Sequence, residues 1–127
     1  MPDRTLGLVK GTLDVLVLKA LSWGPMHGYA VTRWIRRSSR GDLEIDDAAL
    51  YQALHRMERR GWLESEWGRS DTNRRAKFYR LTPGGRTQLG RQTTDIRRYV
   101  GALLTVLDAT VAGAAVRDEA VAAGRAR

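Results

Sequence analysis

Two short stretches of alternating polarity, Trp62–Trp67 and Ala76–Leu81, constrain the fold of this chain more than any other feature. Alternation sends successive side chains to opposite faces of a strand. The connecting run Gly68-Arg69-Ser70-Asp71-Thr72-Asn73 is turn chemistry. Two strands so joined form a hairpin, and an isolated two-stranded ribbon is not independently stable in water. It must lie on something else in the same chain.

What precedes the ribbon is helical by periodicity. Thr12 is placed to cap a first helix from Leu13 to about Trp23, with Leu13, Leu16, Val17, Ala20 and Leu21 on one face. Gly24-Pro25 ends it. A second helix is expected from His27 to about Arg37, with Ala30, Val31, Trp34 and Ile35 inward. Asp46 or Asp47 caps a third helix that runs to Arg60, buries Leu50, Leu54 and Met57, and stops at Gly61. After the ribbon, Thr82-Pro83 supplies a cap and a first-turn proline for a long final helix. Three short helices followed by strand, turn and strand is the order of a winged helix-turn-helix. The expected class is therefore mainly α with a small β-hairpin, extended by a long C-terminal helix.

Composition narrows the function. The chain has 127 residues, enough for one domain with an appendage, and carries 22 Lys and Arg against 14 Asp and Glu, a net +8. From Arg69 to Arg98 there are nine basic residues and two acids, a local charge of +7. Only Lys10, Lys19 and Lys77 are lysines; the rest are arginines, the better fork for phosphate and guanine edges. So basic a chain points to a polyanionic partner. The absence of cysteine excludes disulfides and thiolate chemistry, and two histidines are too few for an all-histidine metal site. No phosphate-cradling glycine motif or nucleophile elbow is present, so neither an enzyme, a cofactor nor a metal site is expected. The longest apolar run, Leu13–Leu21, is too short for a bilayer, and the opening residues do not read as a signal peptide. A cytoplasmic location without membrane contact is the expectation.

The third helix turns Ala48, Ala49, Gln52, His55, Arg56 and Arg59 away from its buried line. Small residues let a helix sink into a major groove, and Gln52 and Arg56 suit adenine and guanine edges. A solvated polar face is the plainer reading of that helix alone. The wing shifts the balance. Asn73-Arg74-Arg75-Ala76-Lys77 clusters cations beside a turn, where phosphate or minor-groove contact explains them better than protection of a sheet edge. His27, beside Gly28 and Tyr29 at a helix start, is either a capping residue or part of an anion site. The final helix is expected to be roughly 43 Å long (about 29 residues), and along it Leu89, Ile96, Val100, Leu103, Leu107 and Val111 form an apolar stripe longer than a small domain covers. A second copy of the chain covers it, or the helix folds back on its own domain.

Several motifs are together highly specific. Gly11-Thr12-Leu13-Asp14, Gly24-Pro25-Met26-His27-Gly28-Tyr29, Leu50 to Glu58, Gly61-Trp62-Leu63, Asn73 to Thr82 and Gly85-Arg86 resemble the PadR family of transcriptional regulators, in its short branch with one C-terminal dimerisation helix. The resemblance implies a homodimeric winged-helix repressor on an inverted-repeat operator in double-stranded DNA. It also implies a small aromatic or drug-like effector at the dimer interface. The implied DNA-binding set is Thr12, His27, Tyr29, Ala49, Tyr51, Gln52, His55, Arg56, Asn73, Arg74, Arg75 and Lys77. The dimer seam is Leu89, Ile96, Val100, Leu103 and Leu107, and the effector would rest near Ile96 and Tyr99. This chain departs from the family pattern at Ala48-Ala49, where glycine and a hydroxyl residue are usual, at Gln52, where proline is usual, and at Ile96, where many relatives carry tryptophan. The expected division is residues 1–81 as the winged domain, 82–112 as the dimerisation helix and 113–127 as a frayed tail. A winged protein-interaction module and a nucleic-acid binder without sequence preference are the competing readings.

Overall fold

The computed structural model describes residues 11–110. In chain order the elements are α1 (Leu13–Leu21), β1 (Met26–His27), α2 (Gly28–Ser38), α3 (Asp47–Arg59), β2 (Leu63–Arg69), β3 (Arg75–Leu81) and α4 (Pro83–Leu107). This is the expected winged helix-turn-helix with a long final helix, and with one strand more than expected. The sheet is antiparallel in the order β1-β3-β2. Its extra strand pairs Met26 with Tyr79 and His27 with Phe78. Two residues are too short for alternation to show in a sequence.

Local chemistry explains each helix end. α1 stops at Leu21, two residues earlier than expected, because Ser22 closes the last turn by donating its hydroxyl to the Lys19 carbonyl at 2.6 Å. Thr12 occupies the N-cap position, but its backbone is already helical and its side chain makes no capping bond. The Thr12 carbonyl instead accepts the Leu16 amide at 3.2 Å. α2 starts one residue later than expected, with His27 as its cap: Nδ1 accepts from the Ala30 amide at 3.1 Å. At α3 it is Asp46 that caps, accepting from the Ala49 amide at 3.0 Å, and Gly61 ends the turn with φ +80°.

The three short helices and the sheet share one core. Val17, Leu18 and Leu21 meet Val31 and Ile35, then Leu50, Leu54 and Met57, with Leu63 and Tyr79 from the sheet. α1 is buried beyond the face expected of it: Val15 and Leu18 are inside as well as Val17, Ala20 and Leu21. A helix enclosed by neighbours loses its single apolar stripe.

The hairpin turn is narrower than the polar run suggests. β2 continues through Gly68 and Arg69, and the turn closes with Ser70 and Arg74 bonded at 2.9 Å. Asn73 takes φ +60°, a left-handed conformation that asparagine tolerates.

α4 begins inside the winged domain. Thr82 donates its hydroxyl to the Gly61 carbonyl at 2.6 Å and accepts the Gly85 amide at 3.0 Å. Gly85 is buried so closely that a Cβ there would lie 2.1 Å from the Trp62 carbonyl oxygen. One turn on, Leu89 packs against the core. Leu89, expected in the dimer seam, is thus already partly covered by its own domain.

The chain divides into two compact units, one ending at Thr93 and the other starting at Thr94. This boundary falls within α4, whose first turns pack on the winged domain. In the second unit α4 runs to Leu107, with Tyr99, Val100, Leu103, Leu104, Val106 and Leu107 exposed. Val111 and the expected tail at 113–127 lie outside the described residues. No described helix is long and apolar enough to cross a membrane.

Candidate nucleic-acid interface

The β2–β3 register sorts the wing into two chemically opposite faces. Ser65 pairs with Tyr79, Trp67 with Lys77 and Arg69 with Arg75, so these six side chains share one face. Glu64, Glu66 and Gly68 pair with Arg80, Phe78 and Ala76 on the other. On that outer face Arg80 is held by Glu64 at 2.7 Å and Glu66 at 3.9 Å, and the Glu64 hydrogen bond raises the Arg80 pKa. The cations beyond those pairs stand on the inner face or at the tip.

That inner face forms one wall of an open groove of about 820 Å³. The opposite wall comes from the start of α2, with His27, Gly28, Tyr29 and Arg33, and from α3, with Tyr51 and His55. Trp67, Arg74, Arg75, Lys77 and Tyr79 complete it from the wing. Two guanidinium–ring pairs face into it: Arg33 on Tyr29 at 5.5 Å and Arg75 on Trp67 at 4.5 Å. Lys77 reaches Glu58 on α3 at 3.6 Å, and Glu58 also accepts the Ser65 hydroxyl, so α3 braces the wing. Burial, then the Glu58 carboxylate, then Tyr51 push the Tyr79 hydroxyl above the usual tyrosine value, so it stays neutral at the floor of the groove.

His27 joins the groove to the other face of the sheet. Its ring caps α2 through Nδ1 and stands edge-on to Phe78 of β3, with centroids 5.3 Å apart. Tyr51 covers the adjacent glycine: a Cβ on Gly28 would come within 2.9 Å of the Tyr51 hydroxyl. A capping imidazole and a phenol at a helix start suit an incoming phosphate oxygen.

Of the residues expected to bind DNA, His27, Tyr29, Tyr51, His55, Arg74, Arg75 and Lys77 line the groove together. Gln52 is exposed on the same helix, one residue from Tyr51. Ala49 is partly covered at the first turn, and Asn73 shapes the wing turn. Thr12 begins α1 outside the groove lining. The part-exposed Arg56 does not line the groove, and its guanidinium pairs with Asp14 of α1. Sequence reasoning passed over Trp67 and Arg33; only the cross-strand register and the helix-start geometry bring them to the site. Ile96 is partly covered, Tyr99 is exposed, and neither lines this groove.

A model of the "Transcriptional regulator PadR-like family" matches residues 17–91, more than half of the chain. The chain belongs to this family. Solved structures agree with the assignment. A transcriptional regulator from Clostridium thermocellum is 26% identical, with a TM-score of 0.68 over 76% of this chain and 90% of its own. A PadR-family regulator from Eggerthella lenta is 28% identical, with a TM-score of 0.66 over 80% of this chain and 86% of its own. A PadR-like regulator from Bacillus cereus, 20% identical, has the same fold at a TM-score of 0.67 over 80% of this chain and 96% of its own. The groove of this PadR-family chain thus lies between the two features by which a winged helix meets DNA, its third helix and its wing.

Proposed function

We propose that this PadR-family regulator is a homodimeric repressor that reads an inverted-repeat operator in double-stranded DNA. The observation that carries the reading is the sorting of the wing, which gathers Arg75, Lys77 and Trp67 on the face opposite the α2 start and α3. In this reading α3 enters the major groove with Tyr51, Gln52 and His55 toward base edges. The α2 start receives a backbone phosphate at His27 and Gly28, and Arg74 and Arg75 hold the flanking phosphates or the minor groove. In this reading Ala49 and Asn73 sit at the edges of that contact, and Thr12 meets the duplex from the start of α1. Arg56 acts through its Asp14 pair, as a strut between α1 and α3 rather than as a reader.

Dimerisation is supported by the exposed apolar run of α4, where Val100, Leu103 and Leu107 repeat at helical spacing. A two-fold dimer presents two third helices to half-sites about one DNA turn apart, so the operator is palindromic. Ile96 and Tyr99 border the same run. An effector would meet an aliphatic wall and a phenol there, a setting for a small aromatic compound.

Selection from a randomised duplex pool, followed by anisotropy titration of the enriched duplex and a scrambled control, tests this reading. The enriched sequences should be palindromic, and expression of the protein should lower a reporter placed behind one of them. Gln52→Ala should change base preference at one operator position, costing about 1–3 kcal/mol of discrimination. Arg74→Ala should weaken both duplexes alike and flatten the salt dependence by about one unit. Equal affinity of the wild type for enriched and scrambled duplex would remove sequence-specific reading.

A further inference from the structure

Trp67 is a large apolar ring left 60% exposed on the basic face of the wing. Its strand register explains what it does there. Arg75 stands directly across from Arg69, and like charges so placed repel. The two side chains diverge: Arg69 donates to the Asn73 carbonyl at 3.2 Å, while the Arg75 guanidinium lies over the Trp67 ring at 4.5 Å. Arg75 is thereby drawn from the wing end along the inner face and into the groove. Among the described residues it has no carboxylate partner, unlike Arg36, Arg56, Lys77 and Arg80. Stacking uses the face of a guanidinium and leaves its edge, with five N–H donors, available to an acceptor.

Resting on the reading of the groove as a DNA seat, we propose that Trp67 is a positioning residue that pre-sets Arg75 as a fork for a duplex phosphate. A long side chain already held in its bound conformation loses less freedom on association, which is worth about three- to tenfold in affinity. Trp67 therefore adds affinity without adding charge.

The experiment titrates labelled enriched and scrambled duplexes over a series of NaCl concentrations with the full chain. Arg75→Ala should weaken both duplexes and reduce the salt slope by about 0.9, the signature of one lost phosphate contact. Trp67→Leu should weaken both by about three- to tenfold while keeping the slope, because the charge remains. In the Arg75→Ala background Trp67→Leu should have no further effect. Trp67→Tyr, which keeps a ring under the guanidinium, should stay within about twofold of wild type. A Trp67→Leu penalty that persists without Arg75, or an equal loss in the Tyr and Leu variants, overturns the proposal. So does unchanged binding by Trp67→Leu. A wild type that binds no duplex overturns the reading beneath it; a wild type that binds, with any of those three results, overturns this one alone.

Discussion

Gly85→Ala is expected to lower the melting temperature of the winged domain by roughly 15 °C, the equivalent of about 3 kcal/mol in a domain of this size. The added carbon would lie 2.1 Å from the Trp62 carbonyl oxygen, 3.0 Å from the carbonyl carbon and 3.1 Å from a methyl of Leu81. The nearest obstacle is backbone, which cannot swing aside as a side-chain tip does. The first turn of α4 would have to lift, breaking the Thr82 bonds to Gly61 and Gly85. Gly90→Ala is the internal control. It lies on the same helix in open space, so it should gain about 0.5–1 kcal/mol from helix propensity alone. Calorimetry on the two variants should move in opposite directions. A Gly85→Ala protein melting at or above wild type would mean that α4 does not seat on Trp62.

On the proposed homodimer, the double substitution Leu103→Asp and Leu107→Asp should yield monomer. These side chains are 45% and 69% exposed in the single chain, which leaves them available to a second copy. Burying two unpaired carboxylates in an apolar seam costs several kcal/mol, so the dimer dissociation constant should rise by about a thousandfold or more. Light scattering should report the monomer mass, and affinity for a palindromic duplex should fall toward that of a half-site. The winged domain should melt as before, since neither residue belongs to its core. A double variant that still ran as a dimer would place the subunit contact on another surface.

How much of this was legible in the sequence depended on the range of the forces involved. Helices with local caps were readable, because Asp46, Gly61 and Thr82-Pro83 act within three or four residues of themselves. The hairpin was readable from alternation. β1 was not, since its two residues become a strand only by pairing with Tyr79 and Phe78 more than fifty positions away. Arg56 looked like a reader on a helical wheel because Asp14, its partner, is forty-two residues off along the chain. Leu89 fits the apolar stripe by spacing, but its packing on its own core depends on the fold and is not visible in that spacing. Trp67 passed as an ordinary strand residue until the register placed Arg75 on its diagonal.

The two-faced wing has a consequence for traffic on crowded DNA. A basic ribbon that was cationic on both sides would act as an adhesive strip and tie two duplexes together. Here a second duplex approaching from outside meets Glu64 and Glu66, with Arg80 already neutralised between them. Carboxylates facing phosphate repel over roughly a Debye length, about 8 Å at physiological salt. On the proposed reading the wing grips one duplex and turns an unwelcoming side to the next, which keeps a regulator of net charge +8 from cross-linking DNA through this ribbon.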